Sequence, residues 1–399
     1  MRSFFLLTLT CIATATPLSD GQTPLIDAGH LTSYPGFSLD LNAQRLVELE
    51  GKTPIWMSEL DKVQLKAKGI RFFDVTDTQT LGFSAHTKLQ TTASFPSPNA
   101  TERVKPILRT LSTKGPRENL KKFSSFRTRH YRSDITNDLA SKSLRESISL
   151  SEFHHSWGQN SIIVRINGTS AADDGVVIIG AHQDSTNMWP FLPAPGADDD
   201  GSGSVTILEA YRALIAANFR PKRAVEFHWY SAEEAGLLGS QAVAQDYEKR
   251  SVNVLAMSQF DMTAWVKFRL TSNQRGAPEE VGIITDFVDP HVTQFNKELV
   301  DKYLDIPYVE TKCGYACSDQ LRSTYVLAEL ILTIGRSASW SKAGYRSSFT
   351  IESAFENSNK NIHSINDRID ISDEFSFSHM LEFSKLAVAF VVELGGWSD

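Results

Sequence analysis

The sequence predicts an α/β fold: a mixed, largely parallel central sheet with helices on both faces, preceded by a small leading segment. Three observations carry this. Short runs rich in Val, Ile, Phe and Trp alternate with longer segments whose apolar residues recur at helical spacing. Three of the short runs end in imidazole or carboxylate, as expected where ligands gather beyond the carboxyl ends of parallel strands. A stretch rich in Ser, Thr and Pro, "QTTASFPSPNATERVKP", separates this pattern from what precedes it.

Residues 1–16 read as a secretory signal peptide. Arg2 gives the positive start, Phe4 to Ala13 the apolar run, and the small residues near Ala15 and Thr16 the cleavage site. An extracellular destination follows. Residues 17–89 are polar and punctuated, with an amphipathic helix candidate in "MSELDKVQLKAKGI" and a strand candidate in "IRFFDV". A small segment ahead of an exposed connector reads as a propeptide. From residue 90 to 399, "NSIIVRIN", "GVVIIGAH", "RAVEFHWY" and "VLAMSQFDM" read as strands. "SVTILEAYRALIAANF", "GSQAVAQDYEKRS", "HVTQFNKELVDKYL" and "SFSHMLEFSKLAVAFVVEL" read as helices, with apolar residues spaced as at Ile207, Tyr211 and Leu214.

Composition limits the partners. The chain has 399 residues, 41% of them hydrophobic and 22% charged, enough for a full core in one large or two modest domains. A net charge of −7 is spread along the chain, and basic residues gather no further than pairs such as Lys121 and Lys122. Nucleic acid and anionic membranes are therefore not expected partners. No run after the leader is long and apolar enough to span a bilayer, and "FSKLAVAFVVEL" is too short. The expected state is a monomer.

Cysteine usage agrees with export. Cys11 falls in the leader, leaving Cys313 and Cys317 in "CGYAC", close enough to bridge across a tight turn. A disulfide is expected, since no second Cys or His pair stands at finger-like spacing for zinc. Asn99 and Asn167 open the sequons Asn-Ala-Thr and Asn-Gly-Thr and are candidate glycan acceptors.

The chemistry gathers at strand ends. "GVVIIGAHQDS" ends in His182 and Asp184, "RAVEFHWYSAEE" in Glu233 and Glu234, and "VLAMSQFDMT" in Asp261. Between the first two, "PAPGADDDGSGS" puts Asp198, Asp199 and Asp200 in a turn that leads into a helix, and "NKNIHSIND" offers His363 far downstream. Singly, an Asp in a Gly-rich turn is turn chemistry or a helix N-cap. Together, two His and several carboxylates on one sheet edge would repel unless cations neutralised them. Nitrogen and carboxylate donors without thiolates suit Zn²⁺, with Co²⁺ or Mn²⁺ as chemical substitutes.

The motifs "GAHQDS", "PGADDDGSG", "YSAEEAGLLGSQ", "QFDMT", "CGYACSD" and "IHS" stand in the order and approximate spacing of the di-zinc M28 aminopeptidases. The chain resembles that family over residues 90 to 399, and most of all its secreted fungal leucine aminopeptidases. The resemblance implies the zinc-dependent exopeptidase fold, two Zn²⁺ per subunit, and peptides with a free N-terminus as substrates. It implies that His182 and Asp261 hold one ion, that Glu234 and His363 hold the other, and that Asp199 bridges both. Each ion then keeps a position open, as catalytic sites require. Asp184 would orient the His182 imidazole. Glu233 would be the general base toward a metal-activated water, and Tyr315 would help hold the oxyanion. Met262, Ile284, Phe349, Phe355 and Ile362 would line a pocket for a leucine-like side chain.

One stretch departs from the family pattern. After "CGYACSD" the family runs on to something like "HASW", whereas here Gln320 to Ser337 intervene, apolar in "YVLAELILTI". The insertion reads as a retained intron. With codons CAG for Gln320 and AGC for Ser337, excision in frame leaves CAC, a His, ahead of Ala338, Ser339 and Trp340. A real extra helix at the site's mouth is the other reading of 320–337. Two further functions remain on the same scaffold: a single-zinc glutaminyl cyclase or a carboxypeptidase, disfavoured by the full ligand set, and a binding-only protein, disfavoured because neither a ligand nor the base is missing.

Overall fold

The computed structural model describes residues 33–34, 36–49, 52–85, 94–133, 147–172, 174–267, 279–314, 317–319 and 339–398. The expected signal peptide, Tyr315 and the 320–337 insertion lie outside the described residues.

The leading segment holds more structure than its polar sequence announces. Strands β1 (Ser33–Tyr34) and β2 (Phe37–Ser38) pair antiparallel. Strand β3 (Gln44–Glu48) pairs with both β4 (Ile55–Ser58) and β5 (Phe73–Asp74), again antiparallel, and helix α1 (Glu59–Ala67) connects the two outer strands. A capping box starts α1: Ser58 Oγ accepts from the Asp61 N–H at 3.1 Å, and the Asp61 carboxylate accepts from the Ser58 N–H at 2.9 Å. The buried Lys62 ammonium donates to Glu59 at 3.1 Å and to Asp74 at 2.7 Å, tying helix to sheet.

The Ser/Thr/Pro-rich stretch is not exposed throughout: its end, "TERVKP", opens α2 (Thr101–Leu108), which buries Val104 and Ile107 against the main core. Then come α3 (Lys114–Phe123), β6 (Ile148–Phe153), β7 (Ser161–Ile166), β8 (Val176–His182), α4 (Gly201–Ala216), β9 (Val225–Tyr230), α5 (Leu238–Lys249), β10 (Val254–Phe260) and β11 (Val281–Ile284). They are followed by α6 (Pro290–Tyr303), β12 (Tyr308–Thr311), α7 (Ser339–Lys342), β13 (Ser347–Ile351) and α8 (Phe377–Gly395). The eight-stranded sheet runs in the order β12-β11-β13-β10-β8-β9-β7-β6. Its centre, from β13 through β10 and β8 to β9, is parallel, and β7 and β6 extend it antiparallel at one edge.

Alternation along the strands builds the two cores. In β8, Val177 and Ile179 face the cluster that holds Ile207 and Leu214 of α4 and Leu386 and Phe390 of α8, while Val176 and Ile178 face Val243 and Tyr247 of α5 and Trp340 of α7. A strand buried on both faces reads as an unbroken apolar run, which is why "VVII" was legible. Truncating Ile179 to Ala would leave a cavity that costs about 2–5 kcal/mol. Strands β1–β4, β6 and β11–β13 and helices α2 and α3 are not expected from the sequence. β6 lies at the edge, and β13 spells "SSFTI", whose serines conceal a strand with every residue buried.

Candidate active site

The parallel centre of the sheet aims three strand ends at one place. β8 ends on His182, β9 runs into Glu233 and Glu234, and β10 runs into Asp261. The loop before α4 brings Asp199, and the loop after β13 brings His363. Ala232, Met262 and His363 hold left-handed backbone conformations, with φ of 56°, 56° and 55°. Such conformations in residues other than glycine cost about 1–3 kcal/mol each and concentrate where side chains must be aimed.

The three consecutive aspartates divide the work. Asp200 is the N-cap of α4: Oδ1 accepts from the Gly203 N–H at 2.8 Å and the Met262 N–H at 3.1 Å, and Oδ2 from the His182 N–H at 3.0 Å. Asp198 is turned the other way, onto the Ser202 hydroxyl, the Ala264 N–H and the Asn359 amide, at 3.0, 3.2 and 3.0 Å. Asp199 between them takes a cis peptide bond to Asp200. Its Oδ1 lies 3.1 Å from His182 Nε2, and its Oδ2 lies 3.0 Å from His363 Nε2.

Around that carboxylate the remaining ligand candidates close in. Asp261 Oδ1 is 3.7 Å from His182 Nε2, and Glu234 Oε2 is 3.0 Å from His363 Nε2. Asp199, Glu234 and His363 form one group able to hold a cation; His182 and Asp261 form another, to which Asp200 is near enough to belong. The Asp200 oxygens are already engaged by backbone amides, so Asp199 is the better donor. His182 Nε2 and Glu234 Oε1 are buried and have no hydrogen-bond partner among the described residues. Buried imidazole and carboxylate donors, aimed inward and unpartnered, fit zinc.

Asp184 stands beside the His182 ring, whose Nδ1 makes no well-directed hydrogen bond among the described residues, and bonds the backbone after β9. Oδ1 lies 3.4 Å from His182 Nδ1 and accepts from the Glu233 N–H at 3.0 Å, while Oδ2 accepts from the Glu234 N–H at 3.2 Å. One buried carboxylate therefore registers the end of β8 against the turn after β9. Electrostatics separates the glutamates. Burial, and then Glu234, Asp319 and Asp261, push Glu233 well above the carboxylate range against the pull of His182. Burial and Asp199 would raise Glu234 too, but His363 and Lys66 bring it down to about 2. Burial would likewise raise Asp199, yet the His182 and His363 imidazoles beside it hold it well below the ordinary range.

The apolar end is also assembled. Met262, Ile284 and Phe349 belong to one buried cluster, with Phe355 and Ile362 packed against it and Cys313 within it. Cys313 and Cys317 form a disulfide with a Cα–Cα distance of 6.2 Å. Asn99 and Asn167 are both exposed.

The leading segment enters the site, which the sequence reading did not foresee at residue level. Lys66 of α1 donates to the Glu234 carboxylate and, at 2.9 Å, to the Glu234 carbonyl. Phe73 and Val75 fill the same apolar cluster as Met262 and Phe349. A cavity of about 50 Å³ remains, lined by Lys66, Phe72, Glu233, Glu234 and Cys317. Nothing in the local sequence marks Lys66, because its partner stands far along the chain.

Residues 161–388 match the model of Peptidase family M28. The chain is 45% identical over 369 residues to leucine aminopeptidase 1 of Colletotrichum graminicola, spanning 88% of this chain and 85% of that one. It is 44% identical over 376 residues to leucine aminopeptidase 1 of Trichoderma harzianum, spanning 89% and 88%. Its fold is similar to the LapA aminopeptidase of Legionella pneumophila, with a TM-score of 0.70 and 26% identity over 87% of this chain and 92% of that one. The chain belongs to peptidase family M28 and is a zinc aminopeptidase.

Proposed function

We propose that the protein is a secreted aminopeptidase, made as a zymogen, that uses two zinc ions to release leucine or another apolar residue from the free N-terminus of peptides. The observation that carries the two-ion reading is the Asp199 carboxylate, which meets His182 with one oxygen and His363 with the other. His182 and Asp261 complete one ligand set, Glu234 and His363 the other. Zinc held there would supply Lewis acidity to a water and to the scissile carbonyl.

The chain's own residues do the rest. Glu233, at the lip of the remaining cavity, takes the proton of the attacking water and passes it to the leaving amine. Asp184 holds the Glu233 and Glu234 amides, so base and ligand keep a fixed offset. Tyr315, inside the Cys313–Cys317 loop, donates to the oxyanion. The cluster of Met262, Ile284, Phe349, Phe355 and Ile362 takes the apolar side chain of the first residue. The relatives are named leucine aminopeptidases, which agrees with that choice.

Residues 1–16 act as signal peptide and 17–89 as propeptide. Lys66 at Glu234 and Phe73 in the apolar cluster support the second assignment, since together they cover the charged and the apolar halves of the site. Asn99 and Asn167 carry glycans, the enzyme is monomeric, and 320–337 is a retained intron; a mature transcript that encodes Leu321 to Arg336 would remove that last reading. Leucine p-nitroanilide tests the whole. Turnover should appear when the leading segment is removed, vanish with chelator and return with zinc. Chelator-insensitive cleavage would overturn the metal mechanism, undiminished turnover with the segment attached would overturn the zymogen reading, and inactivity of zinc-loaded, processed protein would make this a binding module.

A further inference from the structure

A bridging carboxylate must stand at a fixed distance from both imidazoles, and the loop that carries Asp199 is gripped from two sides. On one side Asp367, on the same loop as His363, turns its carboxylate onto the backbone. Oδ1 accepts from the Asp198 N–H at 2.9 Å and Oδ2 from the Asp199 N–H at 3.1 Å, while the Asp367 carbonyl accepts from the Ala197 N–H at 3.0 Å. On the other side stands Arg129, buried to 1% exposure. Its Nη2 donates to the Gly196 carbonyl at 2.8 Å, Nη1 to the Pro195 carbonyl, and Nε to the carbonyl of Gln183, directly after His182, at 2.9 Å.

The Asp367 carboxyl and the Arg129 guanidinium pull the same short loop by opposite groups. Amides of 197–199 turn toward Asp367, and carbonyls of 195–196 turn toward Arg129, which fixes the peptide planes on both sides of the turn. Glycine is required at 196, where φ is 55° and a Cβ would stand 2.4 Å from Ser185 Cβ, 2.7 Å from the Asp199 carbonyl oxygen and 2.8 Å from Arg129 Nη2. Neither residue faces the cavity, and neither belongs to a metal-ligand group. A rigid loop loses less freedom when its side chain is fixed by a metal, so the grip favours metal binding without touching the metal.

We propose that Asp367 and Arg129 are positioning residues that hold the Asp199 bridge in register with His182 and His363 and thereby set the affinity for the second metal ion. This rests on the two-zinc reading above. The test uses the full chain with Asp367→Asn, Arg129→Lys and, as control, Asp370→Asn, whose side chain is 78% exposed. Zinc per chain is measured by mass spectrometry after dialysis, the cobalt form by its absorption and spin coupling, and stability by urea unfolding of the metal-free protein.

Asp367→Asn should weaken the second ion by about 10–100-fold and change the cobalt spectrum, while the metal-free protein still unfolds cooperatively and Asp370→Asn matches the wild type. Retention of wild-type affinity and spectrum would overturn the proposal, as would a variant whose loss is confined to metal-free stability. If Asp367→Asn does not fold, Arg129→Lys, which keeps the charge but not the fork, decides by the same readouts. The wild type measured in parallel separates the two ideas: if it binds a single ion, the two-zinc reading has failed. The grip is then judged on whether that ion is weakened in the variants.

Discussion

Strand β9 carries two buried clusters of acid and imidazole, and they are completed in opposite ways. In its first half, Glu226 accepts from Arg165 Nη1 at 2.6 Å and from the Tyr247 hydroxyl at 2.7 Å. Its Oε2 also lies 2.9 Å from His228 Nε2, and the other ring nitrogen of His228 lies 3.0 Å from the Tyr230 hydroxyl. Each acceptor there has a donor. Beyond its last residue, the carboxylates of Glu234, Asp199 and Asp261 gather around His182 and His363, and His182 Nε2 and Glu234 Oε1 are left without hydrogen-bond partners among the described residues. An unsatisfied buried group costs about 1–3 kcal/mol. The same residue types therefore make a structural brace where pairing is complete and a candidate metal site where it is not, and completeness of pairing, more than composition, tells the two apart.

The strongest test of the unfinished cluster is Glu233→Gln. This change keeps shape and removes the proposed base, so kcat on leucine p-nitroanilide should fall by about 10²–10⁴, with zinc per chain unchanged by mass spectrometry. Metal loss in that variant would mean that Glu233 and Glu234 have exchanged tasks.

The distinction between the clusters was partly legible in the sequence. His182, Glu234 and Asp261 stand at the ends of apolar runs, where a parallel sheet presents them together, whereas His228 lies inside "VEFHWY" and has to face a core. Asp199 needed the family motif to be chosen from its neighbours, because a turn with Asp198, Asp199 and Asp200 gives no local reason to prefer one; hydrogen bonds from the distant His182, Met262 and Ala264 amides engage the other two. The roles of Lys66 and Arg129 were not legible at all. Each depends on partners brought near only by the fold, and no periodicity or spacing encodes such a meeting. The edge strands were missed for a related reason, since their stability comes from pairing rather than from their own residues.

The finished cluster makes the smaller prediction, and pH reads it. Burial works against the Glu226 carboxylate, but bonds from His228, Tyr247 and Arg165 prevail and bring its pKa from 4.5 down to about 2. A carboxylate depressed in the folded state stabilises above its unfolded pKa, and that contribution fades as pH falls through the folded value. Glu226→Gln should therefore lower unfolding free energy at neutral pH by about 3 kcal/mol, the scale for breaking a buried ion pair. Zinc content and the KM for leucine p-nitroanilide should stay as in the wild type. Between about pH 4.5 and pH 2 the gap between wild type and variant should narrow, by at most about 1.4 kcal/mol per pH unit. Urea titrations of both proteins with metal removed keep the catalytic cluster out of the difference. A gap that stays constant across that window would show that Glu226 acts by shape rather than by charge, and loss of zinc from the variant would show that the two ends of β9 are not independent.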